Sequence, residues 1–331
     1  MVLDFPLTVV TAPLFSFVIS FVSILWLINA RSNWLLDQPN RRSLHAKPVP
    51  RSGGLGVLSG IIITWLLYGV TLPAALWIGI ILLMTISFID DIRGASVSSR
   101  LLMQLAAAVI FVIGFLQDYH YEWWLMLCIV LMIVWMSNLY NFMDGSDGLS
   151  GGMTVIGFGF YGWFALLQGN HHFALINLAI AAAALAFLLH NFYPARIFLG
   201  DVGSVPLGFI AAALGVIGWA DGLWSGWFPV LVFSPFIADA TVTLIKRMLR
   251  GEKIWLAHRE HYYQHLVQSG WGHRNTALLG YVLMLGAGGS AVWAGQQDVT
   301  TQLWVVMVWS GIYSALMIIA DCNQKVFSNH G

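Results

Sequence analysis

The chain has 331 residues, 59% of them hydrophobic and 9% charged, with fifteen Lys and Arg against fifteen Asp and Glu. A soluble domain of this length would carry about 25% charged residues, so a water-soluble globular protein is excluded. Zero net charge also gives no bulk attraction to nucleic acid.

In lipid, every backbone polar group must be satisfied within the chain, so long apolar runs are helical. In chain order they predict eleven membrane-spanning helices, at 6–29, 53–71, 74–90, 100–116, 122–138, 150–168, 172–190, 203–219, 228–246, 276–294 and 302–320. The fold class is all-α, one polytopic transmembrane domain over 1–331, with connections near 30–52, 91–99, 139–149, 191–202 and 247–275. Residues 6–29 lack the basic start and small-residue cleavage site of a signal peptide and read as a retained span. Gly56 and Gly60 have the spacing of helix packing. Cys128 and Cys322 lie in or beside apolar segments without metal spacing, so no disulfide framework is expected.

With eleven spans, alternate connections share a side. Arg31, Arg41, Arg42, Lys47, Arg51, Arg93, Arg100, Arg196, Lys246, Arg247, Arg250, Lys253, Arg259, Arg274 and Lys325 then all fall on one side. That side is expected to be cytoplasmic, with the N-terminus periplasmic and the C-terminus cytoplasmic. The other side carries Asp4, Asp118, Glu122, Asp221 and Asp298, and interfacial tryptophans such as Trp123, Trp124 and Trp304.

Three acidic clusters sit at the basic side, each at the end of an apolar run. A carboxylate beside hydrocarbon is costly and generally acts on an ion or a substrate. Asp90 and Asp91 close the third span, about 100° apart on a helix, so they need not serve one ion. Asn138 and Asn141 share a helix face. Asp144 and Asp147 follow in a break containing Gly145 and Gly148. Amide and carboxylate oxygens are hard ligands suited to Mg²⁺. Asp201 and Ser204 precede the eighth span, where Asp201 either caps the helix or holds a metal, and free N–H groups would favour a phosphate. Arg41, Arg42, His45, Lys47 and Arg51 form one basic patch, and His258, Arg259, His261 and His265 another, with Tyr262 and Tyr263. Such groups could clamp a diphosphate or an anionic lipid headgroup, although membrane topology alone also places cations there.

Taken together, these residues resemble the polyprenyl-phosphate N-acetylhexosamine-1-phosphate transferases, glycosyl transferase family 4. The resemblance runs from about residue 37 to 275. It is carried by Asp37-Gln38-Pro39-Asn40, the Pro48 to Gly56 stretch, Asp90-Asp91, Asn138 to Gly148, Phe198 to Ser204 and His258-Arg259-Glu260-His261. It implies Mg²⁺-dependent transfer of an N-acetylhexosamine-1-phosphate, or a 6-deoxy derivative, from a UDP-sugar to undecaprenyl phosphate, releasing UMP. Mn²⁺ is the natural substitute for Mg²⁺. The resemblance further implies a site on the cytoplasmic face of a bacterial inner membrane, membrane lipid as the setting, and a homodimer as a candidate assembly.

Roles follow by the same resemblance. Asp90, Asp91, Asp201 and His261 match catalytic positions. Asp201, with Asn141, matches the metal ligands. Arg51, Asn138, Asp144, Asp147, Arg196, His258 and Arg259 match substrate contacts, Asp144 facing the uracil. Relatives often carry further histidines after the position of His261, where this chain has Tyr262, Tyr263 and Gln264. That departure resembles the initiators of O-antigen and related lipid-linked polysaccharides more than the peptidoglycan transferase. The rival reading is a cation-coupled transporter or lipid flippase, which would place ionisable groups near the membrane midplane between broken helices or repeats.

Overall fold

The computed structural model describes residues 6–30, 36–37, 48–253 and 258–328. Each expected span corresponds to a helix or a broken helix. They are α1 (Leu7–Asn29), α2 (Gly53–Leu67), α3 (Ala74–Arg93), α4 (Val97–Leu116), α5 (Trp123–Met143), α6 (Leu149–Leu167), α7 (His171–Asn191) and α8 (Asp201–Ala220), followed by α9 (Trp227–Val232) with α10 (Ser234–Leu249), then α12 (Gly272–Ala294) and α13 (Val299–Ser328). A short α11 (Tyr262–Leu266) precedes α12. Among the described residues, nine helices are long and apolar enough to cross a membrane, and α2 is a shorter apolar helix. Before α2, β1 (Leu36–Asp37) and β2 (Val49–Pro50) pair antiparallel.

The ninth expected span is broken for a chemical reason. Pro235 has no N–H to give the Leu231 carbonyl, and its ring crowds that carbonyl. Ser234 Oγ donates to the orphaned Leu231 oxygen at 2.6 Å, and the chain resumes as α10. Elsewhere the starts are ordinary caps: Ser96 Oγ accepts from Ser99 N at 3.1 Å before α4, and Asn170 Oδ1 from Phe173 N at 2.9 Å before α7.

α8 is the centre of the bundle, with 94% of its apolar window buried against 6% for α13. It packs on α5, α3 and α2, while α1 packs on α7 and α2. Gly56 and Gly60 serve the helix packing expected of them, facing Ile24 and Ser20 of α1. Leu7, Trp26, Trp123, Leu303 and Trp304 stay exposed, as a lipid-facing shell requires. The connections are shorter than expected. α3 continues to Arg93 and α5 to Met143, so Asp91 and Asn141 belong, like Asp90, to helix ends. The ends of α3, α5 and α10 and the starts of α2, α8 and α11 meet at one end of the bundle.

Candidate active site

The last turn of α3 splits its two acids. Asp91 turns inward, 3% exposed, and Oδ2 accepts the Val202 N–H at 3.0 Å in the first turn of α8. Its other oxygen lies 3.7 Å from Arg51 Nε, and Arg51 Nη2 donates to the Asp91 carbonyl at 2.5 Å. Asp90 turns the other way. Its Oδ1 accepts the Ala95 N–H at 2.5 Å, and Oδ2 lies 3.1 Å from Arg100 Nη1. The same Arg100 nitrogen is 3.4 Å from Asp201 Oδ2, so Arg100 bridges the Asp90 and Asp201 carboxyl groups.

From α5, Asn141 Nδ2 donates to Asp201 Oδ1 at 2.7 Å and to Ser204 Oγ at 3.1 Å. Asp144 closes α5, and its Oδ1 accepts from Ser150 Oγ at 2.5 Å. Burial pushes the Asp144 carboxyl up to about 8; the Ser150 hydroxyl and the Gly200 N–H oppose that, and the charges of Asp201 and Asp91 add to it. Residues far apart in the chain are thus joined in one network.

The approach is tight because the backbone permits it. A Cβ on Gly54 would lie 2.3 Å from the Gly203 Cα, and Gly53 and Gly54 donate their N–H groups to Phe198 and Leu199 carbonyls at 2.9 and 2.8 Å. Gly200 has φ +74°, and a Cβ there would meet the Arg51 carbonyl at 2.3 Å. A side chain at any of these positions would push α2 away from α8.

A second wall comes from the turn before α11. His261 is 3% exposed, its ring stacked on Phe142 at 5.6 Å. Tyr263 Oη donates to the Phe142 carbonyl at 2.8 Å. The His258 ring lies 4.8 Å from that of His261. Burial holds the His258 imidazole down at about 4, with His261 and Arg247 adding to the effect. Arg259 lies in the same turn. Tyr262, one of the departures from the family pattern, donates through Oη to Asp321 of α13 at 3.2 Å.

Other expected residues lie apart from this network. Asn138 donates to Gln104 Oε1 at 2.6 Å and to the Val134 carbonyl at 2.8 Å, one helical turn back from Asn141. Asp147 accepts the Ala195 N–H at 3.0 Å and lies 3.9 Å from His273 Nδ1, so it ties the α7–α8 connection to α12. Arg196 is exposed, and its backbone N–H donates to the His190 carbonyl at 2.8 Å. Arg41, Arg42, His45 and Lys47 lie outside the described residues. Two groups had no place in the sequence reading of the site. Arg100 counted there only towards topology. Asp239 stood inside an apolar span, and an ionisable residue in such a span was itself the signal.

Three carboxyl groups, Asp90, Asp91 and Asp201, therefore face two guanidinium groups, Arg51 and Arg100, with Asp144 beside them. Among the described residues, no group of three or more His, Cys, Asp or Glu is gathered as a closed metal cage. Mg²⁺ does not need one: it keeps waters and takes one or two carboxylates plus substrate phosphates. Hard oxygen ligands at a helix end fit such an ion. Asn141 presents its amide nitrogen to Asp201, so in this arrangement it orients that carboxylate.

Residues 73–219 match the family model described as glycosyl transferase family 4, and this stretch contains all four carboxylates. A probable undecaprenyl-phosphate N-acetylglucosaminyl 1-phosphate transferase of Bacillus subtilis is 29% identical over 307 residues, 88% of this chain and 85% of that protein. A phospho-N-acetylmuramoyl-pentapeptide-transferase of Staphylococcus saprophyticus is 30% identical over 276 residues, 74% of this chain and 85% of that protein. A decaprenyl-phosphate N-acetylglucosaminephosphotransferase of Mycobacterium tuberculosis is 26% identical over 334 residues, 85% and 81% of the two chains. The relatives thus include both N-acetylglucosamine and muramoyl-pentapeptide transferases.

Proposed function

The chain belongs to glycosyl transferase family 4 and is a sugar-1-phosphate transferase, and we propose that it moves an N-acetylhexosamine-1-phosphate from a UDP-sugar to undecaprenyl phosphate at the cytoplasmic face of a bacterial inner membrane. The observation that carries this reading is the convergence of Asp90, Asp91, Asp144 and Asp201, with Arg51 and Arg100, at the ends of membrane-spanning helices. The relatives' names support the polyprenyl phosphate acceptor. The UDP donor and the start of an O-antigen or related polysaccharide are the finer part of the proposal. Acids gathered at one end of the bundle speak against a transporter, whose sites lie near the midplane.

An oxygen of the lipid phosphate attacks the sugar-bearing β-phosphorus of the donor. The bond from that phosphorus to the bridging oxygen breaks, UMP leaves with the bridging oxygen, and the lipid keeps a diphosphate-linked sugar. The acceptor is a phosphate monoester with a second pKa of about 6, so at neutral pH it is already mostly dianionic. Asp90 then has to orient the acceptor more than deprotonate it. Arg51 and Arg100 offset phosphate charge. Asp91 holds Arg51 and the first turn of α8 in place. Asp144 receives the uracil edge, and His261 faces the diphosphate. Mg²⁺ or Mn²⁺, held by Asp201 beside Asn141, would neutralise the charge developing on the diphosphate.

The test is direct. Purified protein is incubated with undecaprenyl phosphate, Mg²⁺ and a panel of UDP-sugars that includes UDP-N-acetylglucosamine, 6-deoxy-N-acetylhexosamine donors and the muramoyl-pentapeptide donor. A lipid diphosphate sugar with equimolar UMP is expected from a simple N-acetylhexosamine donor. Product from the muramoyl-pentapeptide donor alone would overturn the sugar assignment. Label crossing vesicles without UMP would overturn the reaction.

A further inference from the structure

Asp239 has no part in the chemistry above, yet it is 7% exposed in the middle of α10. A carboxylate taken out of water there is costly unless its oxygens are hydrogen-bonded. They are, and all but one of the partners come from a single turn in another element. Oδ1 accepts the Tyr262 N–H at 2.9 Å and lies 3.3 Å from His261 Nδ1. Oδ2 accepts the Tyr263 N–H at 2.9 Å. Thr243 Oγ1, one turn along α10, completes the set at 3.3 Å. Tyr262 and Tyr263 open α11, where backbone N–H groups have no intrahelical acceptor. One carboxylate from α10 therefore caps α11 and grips the histidine that precedes it.

The grip fixes more than position. Both Asp239 oxygens already accept backbone N–H groups, so the contact with His261 takes its proton from Nδ1. Nε2 is then the ring atom left for a substrate. The ring is held from the other side by Phe142, the neighbour of Asn141, and Asn141 bonds Asp201. Asp239 is thereby linked to the carboxylate network through two packed residues.

We propose that Asp239 is a positioning residue for the transfer reaction, holding His261 in the Nδ1–H form with Nε2 presented to the diphosphate-bearing substrate. This rests on the reading that His261 faces the diphosphate. Asp239→Asn keeps the size of the side chain but swaps one acceptor for an amide donor, so either the capping or the His261 contact is lost.

The experiment uses the full chain in detergent. For Asp239→Asn, kcat is expected to fall by about 10–100-fold, with KM for each substrate changed less than about threefold. In a His261→Ala background the same substitution is expected to lower kcat less than about twofold, because coupled residues are not additive. ¹⁵N spectra of histidine-labelled protein should place the wild-type His261 proton on Nδ1 and show that preference lost in Asp239→Asn. Wild-type kcat in Asp239→Asn, or a further tenfold loss in the His261→Ala background, would overturn the proposal. If Asp239→Asn does not fold, the wild-type spectrum decides: a proton on Nε2 overturns it. Wild-type product formation is measured in the same run. Its absence would sink the proposed reaction, while the spectrum still reports on the Asp239–His261 pair.

Discussion

Glycines at the two ends of the bundle illustrate two different uses of the residue. At one end Gly69, Gly169 and Gly222 have positive φ, and an added Cβ would meet nothing within 4 Å. They reverse the chain between helices. At the other end Gly54 and Gly203 bring α2 and α8 so close that neither tolerates a Cβ. The polar contacts differ in the same sense. At the open end Tyr119 Oη donates to Asp221 Oδ1 at 2.7 Å in an exposed position. At the crowded end Asp91, Asp201, Asn141 and Asp239 join elements distant in the chain, with most of their partners buried. Buried polar contacts between elements distant in the chain gather where the four carboxyl groups are held together.

That contrast breaks most visibly at Asp201. Asp201→Asn is expected to lower kcat by about 10³-fold, with the helical circular dichroism signal and the thermal midpoint close to wild type. Turnover within tenfold of wild type would remove the assigned role. Next comes the crowded glycine pair. Gly54→Val should cost about 1–3 kcal/mol by overpacking and lower activity per folded molecule, because α2 and α8 must part. Its counterpart Gly169→Ala should cost about 1 kcal/mol from left-handed backbone strain alone, with activity per folded molecule unchanged. Equal activity losses for the two would erase the difference between the ends.

Asp144 sharpens the comparison through pH. Its carboxyl is raised to about 8 in the folded chain, against about 3.9 when unfolded. Between those values the folded state binds the extra proton, so stability falls as pH rises from about 4 to about 8. Asp144→Asn should flatten that fall, read from thermal midpoints in detergent across the same range. An unchanged slope would move the effect to another group. Smallest of all is Tyr119→Phe at the open end, expected to cost about 1 kcal/mol or less and leave kcat untouched.

Much of this was legible in the residues. An acid at the end of an apolar run is conspicuous, so Asp90, Asp91, Asp144 and Asp201 could be singled out; Asn141 followed from its helical spacing with Asn138, and helix period explained why neighbouring acids part company. What sequence could not supply was direction. Asp147 stands three residues from Asp144, but the turn through Gly148 aims it at Ala195 and His273. Asn138 shares a face with Asn141 yet sits a turn deeper, where Gln104 meets it. Asp239 is conspicuous as an ionisable residue in the ninth span, but an uninterrupted span gives it no partner. Pro235 breaks it, and the partners that make Asp239 stable lie more than twenty residues later in the chain. Arg100 was hidden by its own ambiguity, since a cation at a helix start is equally well explained by membrane topology.

The central claim is that Asp201 holds one divalent ion inside the network of acids, and Mn²⁺ binding followed by electron paramagnetic resonance tests it most directly. With a UDP-sugar present, the wild-type chain is predicted to hold one Mn²⁺, and Asp201→Asn to weaken that ion at least about tenfold. Equal Mn²⁺ affinity in the two proteins would contradict the account.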